Sequence, residues 1–514
     1  MNIKNFFKVS FWTFFSRVLG LIRDIMLARY LGAGIMADMF FVALKIPNLF
    51  RRFFAEGSMQ AVFIPIFSQK FSINKNKAKI IASQIFSIFF TILLIFVIIL
   101  EIFTPYVVKI MAPGFVSKGL DVFERTIFLV RITLPYLFFI SLVSFYSSIL
   151  NTIYKFSLVA FLPALLNIFL IIFIYYGDML GGKDIGASFG VLFAGIVQLI
   201  FVLYGCYKSG WLVGFTFFKK NMKLALETKS FFKKLLPVIM GAGIYQINII
   251  IDIIAASLLS SGAISYLFYA DRIYQLPLAL IGISIATVVL PSISSKGNET
   301  SNNDNKIKAL LLGLALSIPA SSALFILSKY IMLILFFGGS FSILDVHNTA
   351  LCIMVYVICL PANVIIKIIL PFFYSKGDIK TPLYSTGICL VINIILVFSL
   401  AHRFGFLGIA SATAIASYIN FIILFGFVIF KKYLQLNKTF YSELIKIIII
   451  NVVFFVFLFL FNCLIEYFNV SIMLKRLLII FIIVISVLFV FFMLKLFQSI
   501  LYLDIMSVIK KKKA

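Results

Sequence analysis

The chain has 514 residues, of which 63% are hydrophobic and only 12% are charged, and its mean hydropathy is +1.14. Soluble globular proteins do not have this composition, whereas polytopic membrane proteins do. In a soluble protein the net charge of +27 would suggest nucleic acid binding. Here most lysines lie in short connections between apolar segments, as the positive-inside rule describes. We therefore exclude nucleic acid as a partner.

Apolar runs long enough to cross a bilayer recur over the whole chain. At about 1.5 Å per residue we count about 14 spans, which predicts an all-α polytopic membrane protein. The predicted spans are residues 6–31, 35–68, 78–111, 121–150, 156–178, 185–208, 231–260, 262–294, 307–337, 347–374, 380–402, 407–431, 441–466 and 474–504. Because Arg17, Arg23 and Asp24 interrupt the first run and no small-residue cleavage site ends it, we expect a membrane helix and not a cleaved signal peptide.

The basic residues of the connections lie mainly on one side of the predicted spans. Clusters on that side fall within residues 70–79, 208–234 and 431–438 and in the C-terminal tail. The other side receives few, with Lys475 and Arg476 as the clear exceptions. The positive-inside rule then places both termini in the cytoplasm, which requires an even number of spans.

An internal repeat is visible in the sequence. Three pairs of residues, each with a matching neighbour, are separated by 226 positions: Pro65 and Pro291, Pro135 and Pro361, and Asn167 and Asn393. This offset covers about six spans and predicts two six-helix lobes of the same orientation, the parallel-repeat arrangement of transporters, in which substrate sites lie between the lobes near mid-membrane. We predict lobes at residues 1–220 and 221–435, followed by two additional helices and a basic tail at residues 436–514.

Charged residues are concentrated in the first two spans, where each one costs about 2.5–3.5 kcal/mol on insertion scales. The surplus is cationic, which indicates an anion site inside the membrane. Ser16, Gly20 and Arg23 share one helix face, and Arg17 and Asp24 share a neighbouring stripe. Asp24 is therefore expected to neutralise one arginine while Arg23 stays available. The structural alternative is that these charges pair with one another and lock helices together.

The second span and its counterpart in the eighth span carry further charges. These are Asp38, Lys45, Arg51, Arg52 and Glu56 in the second span, and Asp271 and Arg272 in the eighth. Pro47 is expected to break or bend the second span and to free backbone groups that protein must satisfy. Arg52 and Glu56 are spaced to pair, or Arg52 extends to the cytoplasmic interface. Arginine suits a diphosphate because its planar fork makes bidentate contacts to phosphate oxygens.

The sequence contains no enzyme signature and predicts no catalytic residue. It has no Walker loop, so ATP hydrolysis is not encoded in this chain. The five cysteines are scattered among apolar segments without a CxxC pair and are interpreted as core thiols. We find no metal cluster and no convincing cation site, for which Asp252 and Asn393 are only weak candidates. No cofactor is expected.

Several blocks of sequence resemble one family of membrane proteins. The blocks are SRVLGLIRDIMLARYLGAGIMADMFFVALKIPNLFRRFFAEG, MAPGFVSKG, RITLPYLFFISLVS, ILNTIYKFSLVAFLPALLNI, SYLFYADRIYQLP and PFFYSKGDIKTP. In this order they resemble the MurJ (MviN) lipid II flippases, from about residue 10 to residue 384 with specific motifs and weakly beyond. That family belongs to the multidrug/oligosaccharidyl-lipid/polysaccharide exporter superfamily. The resemblance implies two six-helix lobes around a cationic cavity, and two extra helices that hold an isoprenoid tail.

The resemblance also implies roles for individual residues. By motif match, the family's cavity arginines fall on Arg17, Arg23, Arg51 and Arg272, and its functional acidic residue falls on Asp38. Neighbouring motif positions are Ser16, Asp24, Arg29, Glu56 and Asp271. One departure is Gln275, where a relative has Glu; this chain has no acidic group at that position.

The expected function is that of a flippase in the bacterial cytoplasmic membrane. It would move the undecaprenyl-diphosphate-linked peptidoglycan precursor, lipid II, from the inner to the outer leaflet by alternating access. Membrane potential or an ion gradient would drive it, with membrane lipids around it and cell-wall synthases as candidate partners. The alternatives are a polysaccharide-repeat lipid flippase or a drug/ion antiporter of the same superfamily, and a non-transporting scaffold for cell-wall assembly. An exporter of cationic drugs should have a cavity dominated by carboxylates, whereas arginine dominates here.

Overall fold

A computed structural model describes residues 3–54, 58–216, 225–287, 299–467 and 472–496. Apart from an isolated bridge between Gly338 and Phe341, the regular structure in these ranges is helical. The first ten helices are α1 (Ile3–Leu31), α2 (Ile35–Phe54), α3 (Ser58–Ile73), α4 (Lys75–Ile102), α5 (Thr104–Met111), α6 (Gly114–Ser117), α7 (Leu120–Thr133), α8 (Pro135–Thr152), α9 (Phe156–Tyr175) and α10 (Lys183–Lys208). The others are α11 (Leu226–Ser257), α12 (Ala263–Pro277), α13 (Glu299–Leu335), α14 (Ile343–Ile358), α15 (Leu360–Tyr374), α16 (Lys380–Phe404), α17 (Phe406–Phe430), α18 (Lys438–Tyr467) and α19 (Ile472–Leu496).

Many of these helices have the length and apolarity of membrane spans. Within the described ranges, eight continuous helical segments meet both criteria, and the bent pair α14 and α15 makes a ninth. Helices α1 and α2 are not among them, because they carry the charged residues discussed above. The predicted fold class, an all-helical protein with multiple membrane spans, is confirmed.

Prolines mark several interruptions in the spans. Pro135 separates α7 from α8, and α14 and α15 meet at an angle of 43° just before Pro361. Pro277 ends α12 and is followed by a π-helical turn, Leu278–Ile283. Since proline lacks a backbone N–H and clashes with the preceding turn, these positions favour a break in the helical ladder.

The chain divides into two compact units. The first comprises Met1–Ser265 with Gly338–Phe341, and the second comprises Tyr266–Phe337 with Ser342–Ala514. Helix α11 belongs to the first unit, where Lys70 pairs with Glu227 near its start at 2.6 Å. At the other end of α11, Ser257 Oγ accepts a hydrogen bond from the Gly114 amide. The two lobes expected from the repeat were defined by sequence offset and not by contacts, and their boundaries stay a prediction.

The last two helices pack inside the second unit. Phe454 and Leu458 of α18 and Ile482 of α19 form a buried cluster with Ile326 and Leu327 of α13. The outer faces of these helices expose large apolar side chains, as lipid-facing helices do. The two additional helices thus form part of the second unit's packed core.

Candidate functional site

Arg23 and Asp24 of α1 form the centre of a polar cluster in the first unit. The Arg23 Nε and Nη2 atoms donate to Asp24 Oδ1 at 3.0 and 2.7 Å, and Nη1 donates to Asn167 Oδ1 on α9 at 2.8 Å. The Asn167 amide nitrogen donates to the Ser16 carbonyl oxygen at 2.9 Å. Both carboxylate and guanidinium are largely shielded, with 7% and 15% of the side chains exposed. Asn167 of α9 therefore links Arg23 to the Ser16 carbonyl, and Arg23 in turn pairs directly with Asp24.

The partner of Asp24 differs from the one that helix spacing suggested. Asp24 was expected to share a helix stripe with Arg17 and to neutralise one arginine while Arg23 stayed available. The structure pairs Asp24 with the adjacent Arg23, because the long arginine side chain folds back to the carboxylate beside it. Arg17 and Arg29, on the same helix, are exposed.

Asp38 lies near the start of α2 and is completely buried. Its Oδ2 accepts from the Gly262 amide at 2.7 Å, and its Oδ1 accepts from the Ser265 amide and hydroxyl at 2.8 and 2.6 Å. These donors form the N-terminus of α12, whose first backbone N–H groups have no partner within the helix. Asp38 therefore caps α12 from another part of the first unit, and its role in substrate binding stays a prediction.

Lys118, in the connection before α7, is the cation that interacts electrostatically with Asp38. Its Nζ is buried without a hydrogen-bond partner in the described part of the chain, and it lies 5.3 Å from the centre of the Phe115 ring. Burial lowers the pKa of Lys118, and the Asp38 carboxylate opposes that shift.

Helix α2 continues through Pro47 to its end near the predicted arginines. The prolyl nitrogen cannot donate to the Ala43 carbonyl oxygen, but Thr133 Oγ1 of α7 donates to that oxygen at 2.8 Å. The expectation that protein satisfies the freed backbone group is confirmed. Of the two expected outcomes, a break or a bend, the continuous helix excludes the break at Pro47. Arg51 is half-buried in the last turn, and Glu56 lies outside the described residues.

Asp271 and Arg272 belong to the second unit and are both half-buried on α12. The Arg272 guanidinium lies over the ring of Phe268, 4.6 Å from its centre, a cation–π arrangement. Gln275 Nε2 donates to Asp271 Oδ1 at 3.1 Å. The departure at Gln275 therefore places an amide donor against Asp271, where glutamate would bring a second acceptor.

Comparisons with known proteins show which family the chain belongs to. A family model described as "Lipid II flippase MurJ" matches residues 27–488. The chain belongs to the MurJ family. A probable lipid II flippase MurJ of Rickettsia prowazekii is 38% identical over 427 residues, 82% of each chain. A second one, of Buchnera aphidicola subsp. Acyrthosiphon pisum, is 34% identical over 493 residues, 94% of each chain.

Solved structures agree with this family. A lipid II flippase MurJ in an inward closed conformation matches with a TM-score of 0.81 and 28% identity, over 97% of this chain and 99% of that one. An inward-facing multidrug transporter of the MATE family matches with a TM-score of 0.64 over 81% of this chain and 94% of that one. At 14% identity the second likeness concerns the fold alone. The resemblance identified from sequence motifs is confirmed: the chain is a multi-pass membrane protein of a transporter family.

Two residues described above, Asn167 and Thr133, were not among the expected site residues of this MurJ-family chain. Asn167 was noted only as one member of a repeated pair, and Thr133 was not noted at all. A single amide inside the apolar run of α9 was the available signal for Asn167, because a buried polar group in a membrane span needs a partner. Its partner, Arg23, is 144 residues away and no local spacing reveals it.

Proposed function

We propose that the chain is a lipid II flippase that moves the diphosphate-linked precursor from the inner to the outer leaflet by alternating access. The observation that carries this proposal is the Arg23 cluster in a chain of the MurJ family. An arginine inside a membrane span is energetically costly, and such residues usually mark functional sites. A diphosphate is an anion that matches its planar fork.

In this proposal the arginines at four positions receive the diphosphate of the substrate: Arg17, Arg23, Arg51 and Arg272. Asp38 fixes the N-terminus of α12, the helix that carries Arg272. The remaining motif positions support these groups as neighbours: Ser16, Asp24, Arg29, Glu56 and Asp271. The isoprenoid tail stays in lipid along α18 and α19.

The proposed location is the cytoplasmic membrane, with both termini in the cytoplasm, as the distribution of basic loops supports. The chain acts as a transporter without enzymatic activity. Because no nucleotide-binding motif occurs in the sequence, the driving force is membrane potential or an ion gradient. Movement of an anionic headgroup out of a negative interior is favoured by about 2.3 kcal/mol per charge per 100 mV. Lipid II and membrane lipids are its partners, and a cell-wall synthase is a further candidate.

Growth complementation tests this function. In a bacterium depleted of its own MurJ, the wild-type chain should restore growth, whereas Arg17→Ala, Arg23→Ala and Arg272→Ala should not, at equal protein levels. Lys109→Ala, which removes an exposed cation of α5, is the matched control and should restore growth. Lipid II should accumulate in the cells that fail to grow. Growth with all three arginine variants would argue for a scaffold, and accumulation of another undecaprenyl-diphosphate sugar would argue for a polysaccharide-repeat flippase.

A further inference from the structure

Asn167 uses both ends of its amide in the Arg23 cluster. Its Oδ1 accepts from Arg23 Nη1 at 2.8 Å, and its Nδ2 donates to the Ser16 carbonyl oxygen at 2.9 Å. The side chain is buried, with only 5% of the residue exposed. Since arginine only donates and a carbonyl only accepts, this orientation of the amide is the one that satisfies both neighbours. Asn167 therefore links the backbone of α1 to the guanidinium of the same helix.

Gly20 lies beside this link. It is one turn after Ser16 on α1, and a Cβ atom at Gly20 would make an ordinary van der Waals contact of 3.5 Å with Asn167 Nδ2. The sequence pattern that placed Ser16, Gly20 and Arg23 on one helix face thus describes the surface that Asn167 contacts.

The hydrogen bonds of Arg23 leave part of its guanidinium for a ligand. Three of its five N–H groups donate to Asp24 and Asn167. One N–H on Nη1 and one on Nη2 have no acceptor in the described part of the chain. These two groups belong to neighbouring nitrogens of the planar guanidinium, a group that binds phosphate oxygens through pairs of N–H donors.

The two residues that hold the Arg23 guanidinium, Asp24 and Asn167, differ in charge. Asp24 supplies a full negative charge to one edge of the guanidinium, while Asn167 supplies a neutral oxygen. A second carboxylate at this position would offset the remaining attraction for an anion. The neutral amide of Asn167 holds the guanidinium without weakening its attraction for an anion.

We propose that Asn167 is the positioning residue of Arg23: it orients the guanidinium so that one N–H of Nη1 and one of Nη2 are presented to the substrate diphosphate. This inference rests on the proposed function, in which Arg23 contacts that diphosphate. It assigns to α9 a part in substrate binding through a residue that does not itself contact the substrate.

Binding of purified lipid II to the detergent-solubilised full-length chain tests the inference. Arg23→Ala and Asn167→Ala should each raise the Kd about tenfold, the order of one hydrogen bond to a charged group. The double variant should bind no more weakly than Arg23→Ala alone, because Asn167 acts through Arg23. Gln198→Ala is the matched control: Gln198 is a buried amide whose Nε2 donates to the Leu162 carbonyl of α9 at 2.7 Å. It should change the Kd less than about twofold.

Asn167→Asp separates positioning from helix packing. The carboxylate keeps an acceptor for Arg23 but adds a negative charge, so its Kd should rise at least as much as that of Asn167→Ala. Wild-type affinity in Asn167→Asp or Asn167→Ala, or effects that multiply in the double variant, would overturn the inference while leaving the function standing, provided that Arg23→Ala still weakens binding. Unchanged affinity in Arg23→Ala would instead overturn the proposed function together with the inference.

Discussion

The hydroxyl of Ser265 donates a hydrogen bond of 2.6 Å to Asp38 Oδ1, across 227 positions of the sequence. Both residues are completely buried. With the amides of Gly262 and Ser265, the carboxylate satisfies the first turn of α12. Asp38 therefore performs from a distant helix the capping that is usually done by the residue just before the helix, and it fixes where α12 begins.

Asp38→Asn should lower the thermal unfolding midpoint of the purified protein. The amide nitrogen that replaces one oxygen cannot accept from either backbone N–H, and a buried unsatisfied donor costs about 1–3 kcal/mol. Asp178→Asn is the control, since 76% of the Asp178 side chain is exposed. Scanning fluorimetry in detergent should show a clear decrease for the first variant and little change for the second. Equal midpoints would show that the cap does not stabilise the fold.

Thr133→Val should destabilise the protein, because the Ala43 carbonyl left without a donor by Pro47 would lose the Thr133 hydroxyl. The expected loss is about 1–3 kcal/mol. Thr126→Val is matched to it: Thr126 is equally buried on α7, but its hydroxyl donates to the Val122 carbonyl of its own helix. A comparison of unfolding in increasing denaturant should separate the two variants. If both lose the same stability, the contact at Pro47 is not the cause.

Arg125→Ala should lower the free energy of unfolding. Arg125 donates from Nε and Nη2 to both oxygens of Asp184 at 2.9 Å, and the Asp184 side chain is 1% exposed. The Arg125 side chain is 34% exposed, so its removal should cost less than the about 3–5 kcal/mol of a fully buried pair. Replacing both partners by apolar residues is often neutral. The double variant Arg125→Met with Asp184→Leu should therefore recover most of the stability lost in Arg125→Ala, as measured by unfolding. No recovery would mean that the lost stability came from packing and not from the unpaired charge.

The contact between Asp378 and Lys431 predicts that the stability of the protein depends on pH. Lys431 Nζ lies 2.7 Å from Asp378 Oδ2, and this contact holds the pKa of Asp378 at about 2, below its ordinary value of 3.8. Since the folded protein favours the ionised carboxylate, the stabilisation is complete above about pH 4 and is lost as the pH falls toward 2. Asp378→Asn should unfold more easily than wild type at pH 7, with a difference that shrinks below pH 4. A difference independent of pH would contradict an electrostatic origin.

Hydropathy predicted the spans better than it predicted their interruptions. The second span, expected at residues 35–68, comprises α2 and α3, and the third, expected at 78–111, ends at residue 102 and is followed by the short α5. The length of an apolar segment indicates how much of the chain crosses a bilayer. It contains no information about where the hydrogen bonding of the helix is interrupted. Pro135 and Pro361 carried that information locally, since Pro135 is the first residue of α8 and Pro361 is the second residue of α15.

The predicted charged residues of the first, second and eighth spans that the structure describes lie on α1, α2 and α12, but their partners depend on tertiary contacts. Helix spacing assigned Asp24 to a stripe with Arg17, whereas the guanidinium of Arg23 reaches the adjacent carboxylate. The contacts of Asn167 and of Asp38 join residues 144 and 227 positions apart. Such contacts follow from the packing of whole helices, which local periodicity does not encode.

In the proposed function, intramembrane arginines of this chain receive the diphosphate of a lipid that crosses the bilayer. Translocation of lipid II in proteoliposomes, measured as the rate at which headgroups become accessible to a reagent confined to one side, is the decisive test. The wild-type chain should exceed protein-free vesicles, and Arg23→Ala and Arg272→Ala should fall to the protein-free rate while remaining folded. Equal rates for wild type and the folded arginine variants would contradict the claim.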